Sequence, residues 1–277
     1  MNKFEGSSKY IAGEELLNSV NVAMALQKPL LIKGEPGTGK TMLAEAIAES
    51  LGMELIIWSI KSTTKAQDGL YLYDTVQRLY DSQFGEGNVG DIKQYIRLGK
   101  LGEAFTSEKQ CVLLIDEIDK ADLEFPNDLL WELDKMEFYI NETKETIKTK
   151  TRPIVIITSN AEKELPDAFL RRCIFHYIEF PDKDKMTEIV HAHYGDIDKK
   201  LVEQAMEAFY SLRDMNELQK KPSTSELLDW IQALIISGVD IKKIVDEIPY
   251  VGVLLKKNED IEVMREIKDK GYSLKRW

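Results

Sequence analysis

Apolar residues recur along this chain in two rhythms. Leu16, Leu17, Val20, Ala23 and Met24 return every three or four positions, which predicts an amphipathic helix over about 13–27. Pro29-Leu30-Leu31-Ile32 then run without a polar break. An unbroken apolar run of this length predicts a strand, over 29–33, covered on both faces as in a parallel sheet. The two rhythms keep alternating. Leu43, Ala44, Ile47, Ala48 and Leu51 mark a second helix stopped by Gly52, and 54–60 reads as a second strand. Cys111–Ile115 is a third strand, and Phe125, Leu129, Leu130, Leu133 and Met136 place one helix over about 122–137. Phe138–Asn141 and Thr146–Thr149 pair as a hairpin around Glu142–Glu145. Pro153–Thr158 is the fourth strand, a short helix falls near Pro166–Arg172, and Ile174–Ile178 is the fifth strand. Strands alternating with helices define an α/β layer with a mainly parallel sheet.

Two regions break this order. Over 61–110 only short helical patterns occur, at Leu70–Leu79 and Ile92–Ile96, interrupted by glycines at 85, 87, 90, 99 and 102. This reads as an insertion, and loops carried on a rigid scaffold often hold function. Beyond Pro181 the strand rhythm ends. Helical patterns cover about 182–193, 198–213, 224–237 and 240–248, then a charged helical tail. Ser223-Thr224-Ser225-Glu226 ahead of Leu227, Leu228, Ile231 and Ile235 is a capping box, which fixes one helix start. The expected organisation is an α/β domain over 1–181 and an all-helical domain over 182–277, with residues 1–9 a loose arm.

Composition narrows the function classes. The 277 residues are 43% hydrophobic, enough for one large core or two modest ones. A net charge of −11 argues against nucleic acid or an anionic membrane as the main partner. No apolar run is long enough to span a bilayer, and Met1–Gly6 lacks a signal-peptide core, so a cytoplasmic protein is expected. Cys111 and Cys173 each lie in an apolar run and read as small buried hydrophobes. His191 and His193 are two apart, on different helix faces, so no metal site is expected from the histidines.

The chemistry concentrates at strand ends. Gly34-Glu35-Pro36-Gly37-Thr38-Gly39-Lys40-Thr41 lies between the first strand and the second helix, the setting of a phosphate-binding P-loop. Its glycines let backbone N–H groups converge, and the helix adds its positive end. Lys40 is placed to reach the β- and γ-phosphates, Thr41 to ligate Mg²⁺, and Met42 closes the nucleotide-binding set. Asp116 and Glu117 end the third strand, where bare carboxylates are costly unless they hold a metal or face a cleft. Asp116 is assigned to Mg²⁺, through water, and Glu117 to deprotonating the attacking water; the competing reading is that the pair caps the next helix. Asn160, after the fourth strand, is a candidate to hold that water or the γ-phosphate, against an ordinary turn asparagine. Arg171 and Arg172 are candidates to meet transition-state charge from a neighbouring subunit, against a surface ion pair.

These pieces together resemble an AAA+ ATPase, and within it the MoxR-type branch, especially members linked to maturation of carbon monoxide dehydrogenase-like metalloenzymes. The resemblance rests on Gly34–Thr41, Leu113–Ala121, Ile156–Asn160, Leu165–Arg172 and Pro222–Trp230, and it covers nearly the whole chain. It implies a five-stranded core of order 5-1-4-3-2 with a helical lid, and rings, usually hexamers, with ATP and Mg²⁺ between subunits. It assigns sensor 1 to Asn160 and the arginine finger to Arg172, with Arg171 in reserve. It makes 61–110 and the 138–149 hairpin loops that contact partners or substrate. A sensor 2 arginine is missing: Ser225 stands at that position, and either Lys220 or Lys221 just upstream substitutes, Lys221 being the candidate, or the site lacks that contact. The resemblance also implies a von Willebrand A-domain partner and a protein client. The expected function is therefore ATP-driven remodelling of a protein client. The alternatives are a nucleic-acid motor, with Lys61, Lys65, Lys144, Lys148 and Lys150 as its local cations, and a slow nucleotide switch, against which Glu117 argues.

Overall fold

The structure is a computed structural model that describes residues 3–7, 10–85 and 88–269. It divides into two compact units. One comprises the described residues up to Gly34 and Gly39–Ile178; the other comprises Glu35–Thr38 and the described residues from Glu179 onward.

Among the described residues the first unit has nine strands: β1 (Leu30–Gly34), β2 (Leu55–Ser59), β3 (Tyr71–Tyr73), β4 (Ile96–Leu98), β5 (Val112–Asp116), β6 (Glu137–Ile140), β7 (Glu145–Lys148), β8 (Ile154–Ser159) and β9 (Ile174–Ile178). Five of them form one parallel sheet in the order β2-β5-β8-β1-β9. Side chains alternate between its faces. Leu30, Ile32, Val112, Leu114 and Ile156 pack against the helices Glu14–Leu26 and Lys40–Leu51, through Val20, Leu43, Ala44 and Ile47. Leu31, Leu113, Ile115, Val155 and Ile157 pack on the other face with Leu101, Phe105, Leu129, Leu133 and Phe138. Both faces are covered, so β1, β5 and β8 read as continuous apolar runs rather than alternating ones. Gly52 stops the second helix in a left-handed conformation, its N–H bonded back to Ala48 and Glu49 carbonyls.

Several local expectations change. The single helix over about 122–137 is two short helices, Phe125–Asp128 and Leu130–Lys135. Pro126 lies in the first turn of the first, where its missing N–H is harmless, so the helix starts there and not at 122. The helical pattern over Leu70–Leu79 resolves into helix Ala66–Leu70, strand β3 and helix Thr75–Phe84. The Ile92–Ile96 pattern is a 3-10 turn over Ile92–Tyr95 leading into β4, and β3 and β4 pair antiparallel. Strands of three residues are too short for a period to show. The hairpin forms as β6–β7.

The described part of the N-terminal arm is not loose. Phe4 is buried, and Asn21 bonds both its backbone N–H and its carbonyl. Met1, Asn2, Ser8 and Lys9 lie outside the described residues.

The second unit packs the helices Lys183–Tyr194, Lys199–Arg213, Thr224–Ser237, Ile244–Glu247, Val251–Leu254 and Asn258–Asp269. Trp230, Phe209, Met206, Leu227 and Ile231 fill its core. Among the described residues no strand follows Ile178. The capping box forms between Ser223 and Glu226. The expected 240–248 helix is a 3-10 turn, Ile241–Lys243, followed by Ile244–Glu247. The tail beyond Asp269 falls outside the described residues.

Candidate functional site

In a parallel sheet all strands end at the same edge, and ligands of open α/β sheets gather there. β1 ends at Gly34, β5 at Asp116 and β8 at Ser159. The loop leaving β1 needs glycine at two points. Gly37 and Gly39 have φ of +78° and +82°, and a Cβ on Gly39 would meet the Tyr10 ring at 3.3 Å. Gly39 is also the N-cap of the helix Lys40–Leu51, which opens directly onto the loop. Lys40 is buried at 6% exposure, and its ammonium donates to the Gly34 carbonyl at 2.9 Å. Burial raises the Tyr10 hydroxyl pKa, so that ring stays neutral.

A chain of polar contacts links three strand ends. The Thr41 hydroxyl donates to Asp116 Oδ1 at 3.1 Å. Thr158, fully buried in β8, donates to the same carboxylate oxygen at 2.6 Å and accepts from the Glu117 N–H at 2.8 Å. Glu117 turns into the left-handed region at φ +58°, and its side chain makes no capping bond to the turn that follows. Its carboxylate accepts instead from Asn160 Nδ2 at 3.0 Å on one oxygen and from Lys120 on the other. The bond to Glu117 raises the Lys120 pKa. Asn160 is thus tied to Glu117 across two strand ends.

Met42 is half exposed on the first turn of its helix. Arg171 is exposed. Arg172 donates through Nε to Asp134 at 2.6 Å and through Nη1 to the Ala168 carbonyl at 2.8 Å. Glu35, Pro36, Gly37 and Thr38 belong to the second unit. There the Thr38 hydroxyl donates to the Glu35 carbonyl at 2.8 Å. Arg213 donates to Glu35 Oε2 at 2.8 Å and to the Pro222 carbonyl at 2.6 Å, with its guanidinium 3.3 Å from the Phe180 ring centre. Lys220 pairs with Glu226 at 3.8 Å, while Lys221 and Ser225 are exposed.

Thr158, Asp119, Lys120 and Arg213 were not singled out from sequence. Thr158 is one more residue of an apolar strand, and Arg213 looks like an ordinary basic residue at a helix C-terminus. Only Lys120 and Asp119 carried a signal, as neighbours of Asp116-Glu117. Among the described residues no group of three His, Cys, Asp or Glu side chains is placed to hold a metal by itself. Cys111 and Cys173 are free thiols; burial pushes Cys173 up to about 12.

A parallel sheet with a glycine loop opening onto a helix, and a hydroxyl, two carboxylates and an amide gathered at adjoining strand ends, defines a P-loop nucleotide-binding fold. The chain belongs to the ATPase family associated with various cellular activities (AAA), whose signature matches residues 30–182. Hydrolysis of ATP is the activity that this domain supports. Among similar proteins, the chloroplastic ATP-dependent zinc metalloprotease FTSH 8 of Arabidopsis thaliana is 26% identical over 184 residues, 63% of this chain and 23% of that protein. Midasin of Dictyostelium discoideum is 27% identical over 120 residues, 38% of this chain and 2% of that protein. The chain therefore spans under a quarter of the length of either. The Thermotoga maritima RuvB Holliday junction branch migration motor shares the fold at a TM-score of 0.56 and 15% identity, covering 94% of this chain and 77% of that one. No helix among the described residues is long and apolar enough to cross a membrane.

Proposed function

We propose that this chain is a MoxR-type, cytoplasmic, ring-forming ATPase that remodels a protein client, working with a von Willebrand A-domain partner in metalloenzyme maturation. The observation that carries the enzymatic part is the run of contacts Thr41–Asp116–Thr158–Glu117–Asn160. The Thr41 hydroxyl and the Asp116 carboxylate are hard oxygen donors 3.1 Å apart, a pair suited to Mg²⁺ that also binds phosphate oxygens and water. Bound there, Mg²⁺ would supply neutralising charge to the phosphates. Lys40 gives up the Gly34 carbonyl to meet the β/γ-phosphates. Glu117 exchanges Lys120 for the attacking water and takes its proton, while the Asn160 amide holds that water in line. Arg172 completes the site of a neighbouring subunit in a hexamer.

Two features support a protein client. The chain is acidic overall, and the insertion carries an exposed apolar helix face: Val76 is 80% exposed and Phe84 64%, with Leu79 and Tyr80 beside them. Of the five lysines that a nucleic-acid motor would use, Lys148 is paired with Glu137 and Lys150 with Glu108.

The test is Glu117→Gln in purified full-length protein. ATP binding should persist while turnover falls at least about 100-fold. The ATP-locked variant should retain a metalloenzyme or a von Willebrand A protein. DNA in its place, with DNA-stimulated turnover that falls steeply with salt, would replace the client reading. Equal, slow hydrolysis by wild type and variant would remove the enzymatic reading.

A further inference from the structure

Asp119 is 2% exposed, and its carboxylate is spent on a neighbouring loop. Its Oδ1 accepts from the Asn160 N–H at 3.3 Å and its Oδ2 from the Glu162 N–H at 2.9 Å. Between those two donors lies Ala161, a non-glycine residue at φ +60°, a conformation that an alanine adopts only when its surroundings enforce it. Asp119 thus brackets the strained residue from both sides. It rides on the 3-10 turn Ile118–Lys120, which begins immediately after Glu117. A second strap runs the other way: the Lys163 ammonium donates to the Ala121 carbonyl at 2.8 Å and the Lys120 carbonyl at 3.3 Å.

We propose that Asp119 is a positioning residue that sets where the Asn160 amide stands relative to the Glu117 carboxylate. This rests on the reading of Asn160 as the group that holds the attacking water. Two segments far apart in sequence meet here, and their facing side chains are Glu117 and Asn160 at 3.0 Å. Side-chain contact between those two is available only if the backbones beneath are held at a fixed spacing, and it must open to admit water. Asp119 fixes the backbone N–H of Asn160 itself, so the amide can swing without the loop moving. Displacements of about 1 Å at a positioned group are enough to cost on the order of 100-fold in rate. Two charge-assisted bonds on one buried carboxylate are a stiffer anchor than the exposed Lys163 strap.

The experiment measures kcat and KM for ATP, and the affinity for a fluorescent ADP, in assembled full-length protein. The variants are Asp119→Asn, Lys163→Met, Asn160→Ala and the Asp119→Asn/Asn160→Ala double. Asparagine keeps one acceptor but turns its NH₂ against the other N–H. The expected result is a fall in kcat of about tenfold or more for Asp119→Asn, with KM and ADP affinity within about twofold of wild type. Lys163→Met should fall in the same direction by less. The double variant should be no slower than Asn160→Ala alone, because Asp119 acts through Asn160. Wild-type kcat in Asp119→Asn, a rise in KM alone, or a double variant slower by the product of both single effects would overturn the proposal. Should Asp119→Asn not fold, Asp119→Glu, which keeps the charge but moves the carboxylate along a longer stem, takes its place in the same cycle under the same criteria. Wild-type kcat in Asn160→Ala would overturn the reading of Asn160 and the proposal with it.

Discussion

Replacing Thr158 by valine changes the shape of the sheet's interior little and its hydrogen bonding completely. The hydroxyl is fully buried, donates to Asp116 at 2.6 Å and accepts from the Glu117 N–H at 2.8 Å. Losing a hydrogen bond to a charged group is worth about 1.5–3 kcal/mol, and leaving a backbone N–H without a partner about 1–3 kcal/mol. Asp116 is only half-buried, so water recovers part of the first loss. The expected destabilisation is about 2–4 kcal/mol. Thr158→Ser retains both bonds and gives up one buried methyl group, about 0.5–1.5 kcal/mol. Urea unfolding without nucleotide reads the difference as a shift in midpoint at constant slope. Valine should be clearly the worse substitution. A valine variant within about 0.5 kcal/mol of wild type, or a serine variant as unstable as valine, would refute the bridging role.

Lys40→Ala should weaken binding of labelled ATP at least about tenfold, because the phosphates lose their cation; unchanged affinity would sink the P-loop assignment. Arg172→Ala should leave ATP binding intact and lower turnover of the assembled ring by about 10³-fold or more. Mixed with Glu117→Gln subunits it should regain turnover, and no rescue in verified mixed rings would count against a role in a neighbour's site. His176, bonded to Ser19 in the first unit, has its pKa lowered by burial. On acidification the unfolded chain takes the proton first, at about 6.5, so stability falls with pH from there down to the folded pKa and levels off below it. His176→Gln should flatten that part of the Tm-against-pH curve; an unchanged slope would contradict the assignment.

The parallel core was readable because burial on both faces leaves unbroken apolar runs, as at Leu30–Ile32 and Val112–Ile115. The Asp116-Glu117 pair stood out because charge at the end of such a run is costly. What the sequence hid follows from the same physics. Thr158 is fully buried in a strand of valine and isoleucine, and only its hydroxyl partners distinguish it. The β3–β4 ribbon is held by three residue pairs, Tyr71 with Leu98, Leu72 with Arg97 and Tyr73 with Ile96, too few for an alternation to emerge. Phe4 is anchored by a single asparagine far along the chain, a contact no local pattern encodes. Arg213 meets Glu35 and Phe180, partners remote in sequence, so its environment was invisible from its helix alone.

The position of β1 has a consequence for biosynthesis. Leu30 pairs with Ile156 on one side and Ile174 on the other, so both neighbours of this strand are made long after it. As the chain leaves the ribosome, Leu30, Leu31 and Ile32 have no sheet to join until β8 has emerged. β2 and β5, by contrast, can pair as soon as residue 116 is free. The nascent chain should therefore carry an uncovered apolar strand and the nucleotide loop behind it for most of the first unit's synthesis, a substrate for holding chaperones. The nucleotide site, rooted on a strand whose first partner to be made is β8, can come into being only when β2, β5 and β8 are already in place.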